Sequence, residues 1–332
     1  MRPAFPRRAL LALGACAALF PLSSIPSFGQ ARVADVFPSK PVRIVVPFAA
    51  GGPTDLMARV IAKSMSAGLS QPVVVENKPG GGGVIGLSDV ARSPADGYSL
   101  AFPSILSVTN QYLLRGYPFD MARDFTPLTV VGYIPHVLIV RNDLPIANLQ
   151  EYVTYAKAQL DMTFASSGLG TSTHLAGELL SAAAGVHMRH VPYRGAAMAV
   201  QDLIGGQTHS MFLDTALALP LIKAGKVRAI AVASRTRLAS LPGVPTIAES
   251  GYPSFGIRAW YGLMLRKDVP APIVDRLYEE VRRALASPEV REVFLSNGIE
   301  PGGMPPAAFA KIVKEDSEMW RDTIARLKIS VD

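Results

Sequence analysis

The stretch VVPFAAGGPTD, residues 45–55, decides the fold. Its β-branched apolar start reads as a buried strand, Gly51-Gly52 as a tight turn, and Pro53-Thr54-Asp55 as the opening turn of a helix. Strand, glycine turn and helix in direct succession form the unit from which parallel α/β sheets are built. The junction also has chemical content. Glycine removes the Cβ that would keep a ligand from the backbone. The first four N–H groups of a helix lack intrahelical acceptors, and the helix dipole adds partial positive charge there. The sequence therefore marks an anion site here, for phosphate or for carboxylate.

Outward from this stretch, short apolar runs alternate with helical patterns. Strands are predicted at 42–47, 73–76, 99–102, 128–131, 137–140, 162–165, 189–191, 210–213 and 229–233. Helices are predicted at 54–68, with Leu56, Val60, Ile61 and Met65 on one face, and at 148–159, 173–184, 196–204 and 217–223. This alternation implies parallel sheets with helices on both faces. The polar and Pro/Gly breaks Asn142-Asp143-Leu144-Pro145 and Gly251-Tyr252-Pro253 divide it into two such units. Beyond Gly256 come one more strand, 259–265, and two amphipathic helices, 271–286 and 305–327. Phe309, Ile312, Val313 and Trp320 form the apolar stripe of the second. With no third sheet to cover, these helices are expected to pack back on the first unit. The expected fold class is α/β: two doubly wound sheets forming two lobes on a double hinge. Domain 1 is then residues 35–141 plus 252–332, domain 2 is residues 142–251, and a ligand cleft lies between them.

The chain has 332 residues, 49% of them hydrophobic, and a formal charge of +7. Its start reads as an export signal: Arg2, Arg7 and Arg8, an apolar run over 10–22, then small residues to Ala34. Cleavage is expected between Ser27 and Ala34. Leu13-Gly14-Ala15-Cys16 resembles a lipoprotein box, but the apolar run continues past Cys16, which favours an ordinary signal core. Arg7-Arg8 matches a twin-arginine signal only poorly. Losing the three arginines lowers the charge from +7 to +4, with the remaining bases spread among acids and no nucleic-acid stripe. The mature chain has no cysteine, which excludes disulfides and thiolate metal sites. No later apolar run reaches membrane-spanning length. These features describe a soluble exported protein.

Several motifs bear on chemistry. Gly81-x-Gly83-x-x-Gly86 matches the dinucleotide fingerprint, but Asn77-Lys78-Pro79 intervenes where the turn should be tight and no acid follows at the required distance. The remaining readings are a flexible loop with a helix N-terminus at Val84 and a second backbone-amide surface facing the cleft. Residues 166–174, SSGLGTSTH, repeat the strand–turn–helix junction in the second unit, where hydroxyls and glycine N–H groups can wrap a carboxylate. A serine hydrolase would need Ser167 or Ser172 beside His174, yet there is no G-x-S-x-G elbow and no acid placed to orient the histidine. Pro192-Tyr193-Arg194-Gly195-Ala196 is a third such junction, with Arg194 either a carboxylate fork or a solvent-facing base. Asp214, just past its strand, is placed either for a ligand ammonium or hydroxyl or for bracing a loop. His187 and His190 point to opposite faces of a strand and make no metal pair. Asp55 is favoured by the helix dipole alone and is equally placed to brace its loop. No cofactor or metal is expected.

Taken together, the chain resembles the extracytoplasmic substrate-binding receptors of tripartite tricarboxylate transporters, the Bug receptor family. The resemblance covers the whole mature chain. It rests on Pro38-Ser39-Lys40-Pro41-Val42, Val46-Pro47-Phe48-Ala49-Ala50-Gly51-Gly52-Pro53-Thr54-Asp55, Glu76-Asn77-Lys78-Pro79-Gly80 and Ala95-Asp96-Gly97-Tyr98. Further blocks are His190-Val191-Pro192-Tyr193-Arg194-Gly195, Ala224-Gly225-Lys226-Val227-Arg228-Ala229 and Pro245-Thr246-Ile247-Ala248-Glu249-Ser250-Gly251. The resemblance implies a two-lobed, type II-like periplasmic binding protein. Its implied action is to close on a small carboxylate and deliver it to the membrane subunits of the transporter, without catalysis; a monomer is expected, although the sequence itself carries no record of oligomeric state. It further implies ligand contacts at Phe48, Ala50, Gly51, Gly52, Thr54, Asp55 and Ser104. In the second domain the implied contacts are Ser167, Gly168, Thr171, His174, Gly195, Ala196 and Asp214. Gly81 stands where the family has alanine and Arg194 where it has lysine, and residues 104–107 fall in a variable stretch, so ligand identity does not carry across. A sensor that docks a signalling partner would share this fold and pocket.

Overall fold

The computed structural model describes residues 37–257, 259–327 and 329. The expected export segment, with Cys16 and the cleavage region, lies outside the described residues. Two mixed sheets organise the rest. The first has six strands in the order β11-β4-β10-β3-β1-β2. These are β1 (Val42–Val46), β2 (Val73–Asn77), β3 (Ser99–Ala101), β4 (Phe125–Tyr133), β10 (Trp260–Arg266) and β11 (Glu300–Pro301). The second has five in the order β7-β6-β8-β5-β9. They are β5 (His136–Arg141), β6 (Thr163–Ser166), β7 (Arg189–Pro192), β8 (Ser210–Asp214) and β9 (Val227–Val232).

Helices cover both faces of each sheet, as strands apolar on both sides require. On one face of the first sheet lie α1 (Pro53–Leu69), α9 (Ala271–Ala286) and α10 (Pro288–Ser296). Met57, Ile61, Met65, Leu277, Val281 and Phe294 pack there against Ile44 and Leu128. The other face carries α2 (Val84–Ala91), α3 (Ile105–Leu113), the short α4 (Met121–Asp124) and the long terminal α11 (Pro306–Leu327). Phe309, Val313 and Trp320 are fully buried on it, so the amphipathic stripe read from the sequence does pack back on the first sheet. Trp260 bonds Asp316 through its indole N–H at 2.7 Å and meets Phe309 edge-on at 5.0 Å. In the second sheet the two-residue period is explicit. Val137 and Ile139 face α7 (Ala196–Ile204) and α8 (Thr215–Lys223), while Leu138 and Val140 face α5 (Leu149–Ala158) and α6 (Ser172–Ala184).

The sheets are mixed where parallel sheets were expected. β1 is parallel to β2 and β3, and β6 is parallel to β7 and β8. The strands nearest the crossings run antiparallel: β10 against β3 and β4, and β5 against β8 and β9. The crossing itself also falls earlier than the polar break at Asn142 suggested. The chain changes sheet between Tyr133 and His136, so the strand His136–Arg141, expected in the first unit, belongs to the second sheet. The physical reason is that Ile134 and Pro135 are a buried apolar hinge with no polar linker. The Ile134 N–H donates to the Ala259 carbonyl at 3.0 Å, joining the outgoing and returning crossings. The Pro135 carbonyl accepts from both the N–H and the hydroxyl of Thr215, at 3.0 and 2.7 Å. The break at residues 142–146 is instead a surface loop whose carbonyls at Leu144 and Ile146 are held by Arg228.

Beside this crossing the backbone is tightly packed. The N–H groups of Gly302 and Gly303 donate to Val131 and Val130 at 2.9 and 2.8 Å, which presses Gly302 against the β4 carbonyls. A methyl group there would collide with the Val130 carbonyl, a backbone atom that cannot swing away. Gly302→Ala is expected to destabilise the fold by about 1–3 kcal/mol, read as a lower urea midpoint with an unchanged slope.

Candidate functional site

The site grows from the three strand-to-helix junctions. In the first, Gly52 caps α1 with extended backbone and Gly51 takes a φ of +85° that side chains rarely adopt. Asp55, in the first turn and buried, reaches back: its carboxylate accepts the Gly51 N–H at 3.0 Å and the Arg59 Nε–H at 3.0 Å. Arg59 also donates to Asn77, and Asn77 donates to the Phe48 carbonyl at 3.2 Å. One chain of bonds thus fixes the loop from Phe48 to Gly51. Burial pushes the Asp55 carboxyl up, but the bonds from Arg59, Gly51 and Asn77 outweigh it and hold it below the usual range. Asp55 and Gly51 are therefore bound to each other in the loop, and Thr54 is buried beside them. Ala50 is exposed and Gly52 half-buried at the mouth.

The second junction, residues 166–174, is as firmly braced. Thr171 caps α6, its hydroxyl accepting from the His174 N–H and donating to the Gly168 carbonyl at 2.7 Å. The Ser167 hydroxyl pairs with Thr173 at 2.9 Å, and the Gly195 N–H donates to the Ser167 carbonyl at 3.1 Å, tying the third junction to the second. Gly195, at a φ of +117°, is the cap of α7, and Ala196 opens that helix. His174 is buried. Its Nδ1 accepts the Gly170 N–H at 3.0 Å, which places the ring proton on Nε2, 3.6 Å from Glu178. Ser167 and His174 are thus each engaged elsewhere and do not pair with each other.

These loops meet across a cleft of about 310 Å³. Phe48, Ala49, Gly80, Gly82, Leu106 and Asn110 line it from the first lobe, and Leu169, Gly170 and Thr171 from the second. Of the residues singled out in the sequence, Phe48 and Thr171 line this cleft directly. Gly51, Gly52, Ser167, Gly168 and Gly195 lie in the loops behind its walls. Ser104 is buried, capping α3 and bridging backbone to Tyr261. Asp214 sits apart, at the hinge end. Residues 80–83 form one wall, each with positive φ, and Asn110 donates to the Gly82 carbonyl at 2.9 Å. The glycine run is thus a cleft loop. A larger cavity of about 460 Å³ lies at the hinge crossings, between residues 133–135, 234–236 and 256–259 and the α11 side chains Ile312 and Met319. The junction loops open on the smaller one.

Sequence reasoning missed the bracing residues Arg59, Asn77, Asn110 and Thr173, and missed two histidines. His190 stacks on His174 with ring centres 3.8 Å apart, and Phe164 lies against it with ring centres 4.9 Å apart. His187 is exposed and does not join them. His136 is buried beside Asp214, its Nδ1 3.0 Å from the carboxylate. The signal for His136 was its place at the head of an alternating apolar strand. Among the described residues no group of three or more His, Cys, Asp or Glu side chains is placed to hold a metal. No helix there is long and apolar enough to cross a membrane.

Two sheets joined by a double crossing, with opposed glycine-rich helix N-termini across a cleft, define a two-lobed solute-binding protein. Residues 57–329 match the tripartite tricarboxylate transporter family receptor model. The chain is 35% identical over 302 residues to Protein BugT of Bordetella pertussis (strain Tohama I), covering 89% of this chain and 93% of that one. It is similar in structure to MatC from Rhodopseudomonas palustris with bound malate: TM-score 0.74, 33% identity, 87% of this chain and 100% of that one. R. palustris Rpa4515 with adipate gives a TM-score of 0.76 and 32% identity over 89% of this chain and 99% of that one. The chain belongs to the tripartite tricarboxylate transporter receptor family, and it is a solute-binding receptor.

Burial, and then the electrostatic influence of the adjacent His174, pushes the His190 imidazole down to about 3. Between its unfolded value near 6.5 and about 3, the unfolded chain binds a proton that the native state refuses. His190 therefore favours the native state fully above about pH 6.5 and progressively less as pH falls toward 3. The unfolding free energy of the His190→Phe variant, followed by urea titration, is expected to fall less steeply than the parent's over this window.

Proposed function

We propose that this protein is an exported periplasmic receptor that captures a small carboxylate and hands it to the membrane subunits of a tripartite tricarboxylate transporter. It acts as a monomer, without catalysis. The observation that carries this reading is the pair of braced helix N-termini, at Gly52 and Thr171, whose loops meet across the 310 Å³ cleft. Each presents backbone N–H groups with no intrahelical acceptor and the positive end of a helix dipole. An anion between them is neutralised from both lobes, and closure strengthens those bonds by excluding water. A ligand that binds the closed arrangement more tightly drives closure by that difference alone.

The relatives support carboxylate over phosphate, since MatC carries malate and Rpa4515 carries adipate. The N-terminal pattern of arginines, apolar core and small residues supports export, and the family supports delivery to a transporter. The lobes are residues 37–133 with 260–327, and 136–255, joined by the crossings at Ile134-Pro135 and 256–259. Phe48, Ala50, Gly51 and Gly52 from the first lobe are assigned to the ligand with Gly168, Thr171, Gly195 and Ala196 from the second. Thr54, Ser104, Ser167 and His174, buried or bonded within their loops, shape the walls, and Asp214 stands apart. Asp55 serves by holding the Gly51 loop in shape.

A thermal-shift screen of mature protein against mono- and dicarboxylates is the direct test. At least one is expected to raise the unfolding midpoint, because ligand at about 100 times Kd adds about 2.7 kcal/mol to native stability. A screen in which no carboxylate shifts the midpoint at millimolar concentration overturns the reading. Gly51→Val and Gly168→Val, both at positive φ, are each expected to weaken binding of that carboxylate at least tenfold while the variants stay folded. Unchanged calorimetric affinity in both would move the cleft elsewhere.

A further inference from the structure

Asn110 stands in the middle of α3, although Asn is a weaker helix former than Leu or Gln. Its surroundings explain its place. Leu106 and Asn110 are one turn apart, half-buried, and line the cleft together, while Ile105, Val108 and Thr109 are buried. The helix that carries Asn110 is firmly seated. Gln111 and Tyr112 both bond the Ser317 hydroxyl of α11, at 2.9 and 2.6 Å. Just ahead of α3, the Pro103 carbonyl accepts the Gly262 N–H of β10 at 3.0 Å.

The glycine wall that Asn110 touches has far weaker anchorage. Gly80, Gly81, Gly82 and Gly83 have φ of +124°, +58°, +63° and +97° and bring no side chains to pack. A run of glycines also has the most conformational freedom to lose. Its own bonds stay inside the turn: the Gly80 carbonyl accepts from Gly83 and Ile85, and the Gly81 carbonyl from Val84. The side-chain amide of Asn110 ties the turn to α3, donating to the Gly82 carbonyl at 2.9 Å. Gly82 lies so close to that helix that a Cβ on it would stand 3.0 Å from Nδ2 of Asn110 and 2.5 Å from Leu114. The opposing wall, at residues 169–171, is braced from within its own lobe, by Thr171 on the Gly168 carbonyl and by His174 on the Gly170 N–H.

We propose that Asn110 sets the width of the cleft and so determines which length of acid it accepts. It is a positioning residue that acts through Gly82. With the turn held on α3, the gap between residues 80–83 and 169–171 is fixed, and an acid that is too long meets a wall that does not yield. In a pocket of fixed shape one methylene changes affinity by about tenfold or more. A loop surface free to repack accepts both acids instead. Phe48, Leu106 and Leu169 make the cleft largely apolar, so the fit of the hydrocarbon chain decides between acids of equal charge. This inference rests on the carboxylate-receptor reading and adds the residue that gives its cleft a size preference.

Two measurements on mature protein test it. The first is hydrogen exchange of residues 78–86 without ligand. Asn110→Leu, similar in size but without a donor, is expected to speed exchange there at least fivefold, and Asn110→Gln, which returns an amide, to recover part of the protection. The second is calorimetric titration with straight-chain dicarboxylates from malonate to suberate and monocarboxylates from acetate to octanoate. The parent is expected to bind its preferred length tenfold or more tighter than the acid two methylenes longer. In Asn110→Leu that ratio is expected to fall at least fivefold, and in Asn110→Gln to return in part. A purely structural role would lower the urea midpoint and leave the ratio unmoved. Asn110→Ser, too short to reach Gly82, takes the place of Asn110→Leu if that variant does not fold. A parent without a preferred length, a ratio unmoved in the variant, or unchanged exchange each overturns the inference while leaving the receptor reading intact. Binding of none of these acids or of any other carboxylate overturns both.

Discussion

The structure depends on backbone amides that secondary structure cannot satisfy. A helix leaves its first N–H groups without acceptors, and three helices here begin at glycine-rich or hydroxyl-rich turns at the ends of parallel strands. Left to water, such turns would be mobile and their amides hydrated. Side chains instead hold them in shape: Asp55 and Arg59 with Asn77 in the first lobe, Thr171 and Thr173 in the second. The bracing uses a few N–H groups, such as that of Gly51, and fixes the direction of the rest. Pre-organisation of this kind reduces the ordering that ligand binding would otherwise require.

The double crossing turns two such sites into one clamp. Ile134 and Pro135 are buried, tied to the returning segment through Ala259 and to α8 through Thr215. Nearby, Gly298 at a φ of +67° lies so close to Ala216 that a Cβ would stand 2.9 Å from its backbone nitrogen. The two lobes therefore touch backbone to backbone beside the hinge, where small rotations move the distant loops furthest. The cleft between residues 80–83 and 169–171 lies between elements of the two sheets that these crossings join.

Elements with a strong period and clear caps were legible. The helix Ala271–Ala286 and the stripe of Phe309, Val313 and Trp320 lie where the pattern put them. β4 is longer than its apolar core suggested, because Phe125, Thr126 and Pro127 continue the pairing with β10. The helices Ile105–Leu113 and Pro288–Ser296 lacked a sufficiently long period of their own and gain their stability from packing. The polar run at Asn142 looked like a domain linker, yet a short apolar hinge was stronger tertiary logic. Among the site residues, the loops were legible because glycines and hydroxyls before a helix have local meaning. His136, His190 and Asn77 act only through partners far along the chain, and local pattern carries no record of them.

By itself the sequence determined the strand–turn–helix units, the two-sheet α/β class and the anion-favouring junctions, because each follows from residues close together in the chain. Only the tertiary structure decided where the chain changes lobe, which amides are already bonded, and that a buried imidazole stands beside Asp214. Those facts depend on contacts between residues distant in the chain, such as His136 with Asp214 and Ile134 with Ala259, set by how two sheets share one hinge.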